Sequence, residues 1–160
     1  LLEVFERQDR FKWNSDNIKQ RLIELKPKIK KVITLHKKVK DNSKRIREEI
    51  KNSSNENSEI IAFHNDEDYM NSQKELLDYL ESLTDDELIL IETVMYIGRP
   101  GMEVDETKLN LNFKKEIKEI INSLGFDLED RINRDAEISQ ITSKSPLDEY
   151  LKTGMTVLGL

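Results

Sequence analysis

The chain contains no cysteine, which excludes disulfides, thiolate metal sites and cysteine nucleophiles. Glycine (5) and proline (3) are scarce, which favours a helical protein over a turn-rich sandwich or barrel. Aromatic residues make up 6% of the chain, and none lies between Lys19 and Lys51. No apolar run approaches the roughly 18 residues of a membrane span, and no signal-peptide pattern begins at Leu1. Motifs of chemistry are missing as well: no phosphate-cradling glycine loop, no HExxH, no His and carboxylate paired at ligand spacing, no nucleophile elbow. A cytosolic protein is expected, and abundant Lys, Asn and Ile suggest an AT-rich bacterial genome.

What the chain has in quantity is charge, at 36% of residues with a net charge of −6, and it is segregated. Lys19 to Lys51 holds 13 Lys or Arg against 4 acids, whereas Asn52 to Glu106 holds 2 against 15. The plainer reading lays the basic segment along the acidic middle, neutralising both. The sharper one is a phosphate-binding stripe, although a segment without aromatics offers no stacking platform for unpaired bases.

The clearest local signal is LLDYLESLTDDELILIETVMYIGRPG, residues 76–101. Thr84 with Glu87 forms a capping box, and Asp85, Asp86 and Glu87 meet the positive end of the helix dipole. Between Leu88 and Ile97 only Glu92 and Thr93 are polar, so this helix is expected at the centre of the fold, stopped by a left-handed Gly98 and by Pro100. Upstream, positions 18, 22, 25, 29, 32, 36, 39, 43, 46 and 50 alternate in steps of four and three, and only His36 and Ser43 are not Ile, Leu or Val. Such a seam serves a coiled coil or a core-facing helix pair. Pro27 inside it is expected to open a second helix, after a first helix capped by Ser15 or Asp16. Leu1 to Trp13 reads as a short helix or docking arm with Val4, Phe5, Phe11 and Trp13 as anchors.

Residues 52–70 read as a flexible acidic loop. Helices follow at about Ser72 to Glu81 with Leu76, Leu77 and Leu80 inward, then the central helix, a polar loop over Glu103 to Lys108, and an amphipathic helix ending at Gly125. Another is expected after Asp127 with Leu128, Ile132, Ala136 and Ile138 on one side. The last has Ser145 as cap and Pro146 at its first position, with Gly154 in close contact with a neighbour. No strand is expected. The expectation is an all-α, compact bundle of about six helices around the central apolar helix 85–97. Residues 27–160 form the single domain, and 1–26 are an N-terminal helical extension.

The segments YLESLTDDELILIETVMYIGRPG and SPLDEYLKTGMTVLG, with KIKKVITLHKKVKD ahead of them, resemble a bacterial family known as domain of unknown function 3775 over about residues 27–160. The resemblance implies no activity. Gly98, Arg99, Pro100 and Gly101 stand where that family has glycine-arginine-glycine-aspartate, so nothing tied to that turn carries over.

Candidate functional residues are few. Glu92 stands on an otherwise apolar helix and is expected to face the basic helix and pair with a lysine. His36, on the apolar stripe, is read first as a satisfied core histidine and otherwise as a ligand or base. Arg99 is expected to bind the carbonyls at the helix end or an anionic partner, and Tyr96 is a further candidate. His64 with Asp66, Glu67 and Asp68 lacks the glycine and distal glutamate of a calcium loop and reads as solvated. A helix-turn-helix over Ser72 to Ile97 would drive Asp85, Asp86 and Glu87 into phosphates, and Leu128 to Ile141 interleaves acids with its arginines. No cofactor or metal is expected. The functional expectation is a non-catalytic protein–protein interaction module acting through 18–50, with its own copy as a homodimer or with an acidic partner. The second reading binds nucleic acid through Lys26, Lys28, Lys30, Lys31, Lys37, Lys38 and Lys40. The third is an enzyme built on Glu92, His36 and Arg99.

Overall fold

The computed structural model describes residues 17–51, 58–126 and 133–160. The expected anchors of the N-terminal arm, the Ser15 and Asp16 caps, and Asp127, Leu128 and Ile132 lie outside the described residues. The described chain is all helical: α1 Ile18–Lys51, α2 Ser58–Asn65, α3 Glu67–Ser82, α4 Asp85–Gly98, α5 Glu106–Leu111, α6 Phe113–Ser123, α7 Arg134–Ser143 and α8 Leu147–Val157. Among the described residues there are thus eight helices.

The spine is α1, 34 residues long and therefore about 50 Å from end to end. Pro27 does not open a new helix; it sits inside this one. The proline removes one amide donor and frees the carbonyl of Ile23, yet Pro27 and Ile23 both lie on the exposed side. The unpaired carbonyl therefore faces solvent, and the helix continues at little cost. Ile18, Leu22 and Leu25 are buried in the same core as Ile29 and Val32. Residues 18–26 thus belong to the body of the fold, and the boundary expected at Pro27 does not divide it.

The acidic stretch expected as a loop over 52–70 contains α2 and the start of α3. Asp66 caps α3 by accepting from the Tyr69 amide at 2.9 Å, and the two Arg45 contacts to its carboxylate are 2.8 Å each. That cap starts α3 at Glu67, well before the expected Ser72. Asp105 likewise caps α5 within the expected polar loop, and Asn133 caps α7. Leu77 and Ala136, expected inward, are exposed.

Helix α4 is buried nearly all round, as its composition requires. Its capping box is complete: the Thr84 amide donates to Glu87 Oε1 at 3.0 Å and the Glu87 amide to Thr84 Oγ1 at 3.2 Å. The second Glu87 oxygen takes the Lys28 ammonium, tying the α4 start to α1. Its end differs from expectation. Gly98 remains helical and Arg99 follows with φ −77°, while the positive φ belongs to Gly101. The need for glycine at 98 is steric: a Cβ there would overlap the Tyr150 carbonyl oxygen and lie 2.7 Å from the Gly154 amide nitrogen. Reciprocally, a Cβ on Gly154 would overlap the Val94 carbonyl oxygen. The two glycines let α4 and α8 cross backbone to backbone.

Helix α1 packs on α2, α3, α4, α6 and α8, and α4 packs on α1, α7 and above all α8. Arg134 at the start of α7 donates to the Glu81 and Leu83 carbonyls at 2.9 and 2.7 Å and pairs with Asp85, fastening α7 across the α3–α4 turn.

Candidate functional site

Glu92, Tyr96 and Arg99 follow one another at helical spacing along the α4 flank that α7 covers. Glu92 is 2% exposed, and the charge nearest it is not a lysine of α1, as expected, but Glu137 of α7. Burial first, then the hydrogen bond and the negative field of Glu137, push the Glu92 carboxyl up to about 9 against the opposing pull of Lys144. Glu92 is therefore protonated at neutral pH and supplies the hydrogen between the two carboxyl groups. Its Oε2 receives no hydrogen bond among the described residues. Tyr96 donates to Gln140 Oε1 at 3.3 Å. The Arg99 guanidinium lies 5.6 Å from the Tyr96 ring centre and 5.9 Å from that of Tyr150. It stacks between two rings rather than on the terminal carbonyls.

His36 belongs to a different neighbourhood. Buried on α1, it accepts the Asp148 amide at Nδ1 over 3.3 Å. Helix α8 has no side-chain cap of its own at Pro146, so the expected Ser145 cap is absent and a histidine from α1 takes over the orphan donor. Burial lowers the His36 pKa, with Asp148 opposing, and the ring is neutral at pH 7. Asp148 experiences the burial penalty too, but Lys40 and His36 outweigh it and hold its carboxyl below the usual range. A nitrogen engaged in capping is no general base. Among the described residues no hydrogen bond or ion pair links His36 with Glu92 or Arg99.

From Lys26 onward the cations of α1 divide into two groups. Lys28 pairs with Glu87, Lys38 with Glu75 at 3.5 Å, Lys40 with Asp148 and Glu149 at 3.4 and 3.6 Å, and Arg45 with Asp66. These bind α1 to α3, α4 and α8. Lys26, Lys30, Lys31, Lys37, Lys44, Arg47 and Lys51 make no ion pair among the described residues. Of these, Lys30, Lys37, Lys44 and Lys51 recur every seven residues on one exposed flank, about 10 Å apart. The apolar seam, by contrast, is consumed inside the fold: Ile18, Leu22, Leu25, Ile29, Val32 and Ile46 are all buried. Val39, Ser43 and Ile50 of the seam are partly exposed.

The basic flank runs into a groove of about 840 Å³ between α1, α3 and α7. One side carries Lys40, Lys44, Arg47 and Lys51 together with the acid Glu48, the apolar lining is Val39, Leu76 and Leu77, and the α7 side adds the hydroxyls of Ser139, Thr142, Ser143 and Ser145. His36 and Ser43, the two positions that break the apolar seam, both line it. Ile46 on the core-facing side of α1 stays buried, and the groove lies on the side of α1 that faces α3 and α7. Sequence reasoning missed it, although those two polar interruptions and the hydroxyl-rich stretch 139–145 were its signals.

Among the described residues no group of three or more His, Asp or Glu side chains is placed to hold a metal ion, and no helix is long and apolar enough to cross a membrane. Compared with protein-family profiles, curated proteins and solved structures, the chain finds no match.

Proposed function

We propose that this chain is a cytosolic, non-catalytic interaction module that binds an acidic partner protein through the basic flank of α1. One observation carries the reading: Lys30, Lys37, Lys44 and Lys51 line up on an exposed face with no acidic partner among the described residues, while their neighbours on the same helix are neutralised. Unpaired cations in a row attract an anionic surface and set its register. Acids of the same helix, Asp41 and Glu48, interrupt the face.

Nucleic acid remains the second reading, favoured by the same row of lysines. Purified protein titrated with poly-L-glutamate and with mixed-sequence DNA and RNA, at about 50 and 200 mM salt, separates the two. Salt-sensitive binding to polyglutamate that weakens about tenfold or more in Lys30→Glu/Lys37→Glu is the expected result. Absence of binding to any polyanion at the lower salt overturns the reading, and steep binding to DNA or RNA alone replaces it with the second.

A further inference from the structure

Resting on that reading, we infer that the groove between α1, α3 and α7 is the docking site for an acidic amphipathic helix of the partner protein. The fold itself shows what packs against α1. Helices α3, α4 and α8 each lay apolar side chains on its core face and an acid on a cation at its edge: Glu75 on Lys38, Glu87 on Lys28, Asp148 and Glu149 on Lys40. Beyond Lys40, Arg45 takes Asp66 at the start of α3 and Ile46 stays buried, while the side of α1 that lines the groove has no occupant among the described residues. Val39, Leu76 and Leu77 offer the apolar floor, and Lys44, Arg47 and Lys51 offer three cations without an ion pair among the described residues against the single acid Glu48 in the same lining. Leu77 is 40% exposed on a helix whose other outward positions are mostly polar.

The spacing specifies the ligand. Lys44, Arg47 and Lys51 rise over two turns of α1, about 10 Å. An antiparallel or parallel helix with carboxylates at i, i+3 or i+4, and i+7 would meet each in turn, with Leu or Ile on the adjoining face reaching the floor. The hydroxyls of Ser139, Thr142, Ser143 and Ser145 form the opposite wall. Those of Thr142 and Ser143 donate back to the carbonyls of Ile138 and Gln140, which leaves the two oxygens as acceptors for a donor of the incoming helix.

The test uses two fluorescent peptides of about 20 residues and identical composition, one with Glu and Leu in this helical register and one scrambled. Anisotropy should show the ordered peptide binding about tenfold or more tightly than the scrambled one. Arg47→Glu/Lys51→Glu should abolish binding, and Leu77→Ser should remove the preference for the ordered peptide. Equal binding of both peptides, lost only through Lys30→Glu/Lys37→Glu, overturns the groove as the site while leaving the basic flank as the interface. Binding of neither overturns both. A dimeric mass that Leu77→Ser returns to 18.8 kDa overturns the inference by making a second copy the occupant.

Discussion

Gly98→Ala and Gly154→Ala are each expected to destabilise the fold by about 3 kcal/mol or more, the largest losses among single conservative changes in this chain. Both glycines are helical, so alanine would by itself gain up to about 1 kcal/mol of helix propensity. That gain is overridden because the added Cβ has no room. At 98 it overlaps the carbonyl oxygen of Tyr150 and at 154 that of Val94, and in each case the obstacle is backbone, which no rotamer change can move aside. Helices α4 and α8 would have to separate along the most extensive helix–helix contact in the fold, loosening Leu90, Val94, Leu151 and Met155 together. Urea unfolding decides the matter by sign: destabilisation supports the backbone-to-backbone crossing, and stabilisation by either alanine contradicts it.

The second large effect is a pH dependence seated at Glu92. Its carboxyl is raised from 4.5 to about 9 in the fold, so the native state holds a proton that the unfolded chain releases. Stability from this group is complete below the unfolded value, declines as pH rises from about 4.5, and is lost by about 9. Glu92→Gln keeps the shape and a donor toward Glu137 but cannot ionise. At pH 5 the variant should match the parent. At pH 9 it should be more stable by an amount on the order of a few kcal/mol, with a flatter profile between. Denaturant unfolding at a series of pH values measures this, and parallel profiles for the two proteins would place the titration elsewhere. His36 works in the opposite direction: its lowered pKa favours the fold above the unfolded value of 6.5 and withdraws that support as pH falls.

Much of the architecture was legible because its signals are local. The capping box at Thr84 and Glu87, the apolar run from Leu88 to Ile97 and the four-three seam of α1 each follow from side chains a turn or two apart, and each stands in the structure as read. The close contact at Gly154 was legible from its place on an apolar face. What failed depended on distant neighbours. Pro27 reads as a helix start until its exposure is known. Gly98 reads as a left-handed stop until α8 is seen crossing it. Asp66 reads as a solvated loop acid until Arg45 of α1 reaches it and a helix begins. Glu92 is the sharpest case: a lone carboxyl beside a basic helix invites a lysine, yet the topology places Glu137 against it. The candidate site shares this division. Lys26, Lys30, Lys31 and Lys37 were named from charge alone together with Lys28, Lys38 and Lys40, which α3, α4 and α8 neutralise, whereas Lys44, Arg47 and Lys51 stand out only once the groove they line is seen.

In the function proposed here, α1 divides its cations between holding the fold and facing a partner. Urea unfolding of Lys40→Glu beside Arg47→Glu/Lys51→Glu tests it most directly. Lys40 lies against two acids of α8, one of them the buried Asp148, and its reversal should cost about 2 kcal/mol or more by leaving that carboxylate against a like charge. Reversal at Arg47 and Lys51 should leave stability within about 0.5 kcal/mol of the parent. Equal destabilisation by both would mean that the groove cations serve the fold, and the account of α1 as a partner-facing helix would be wrong.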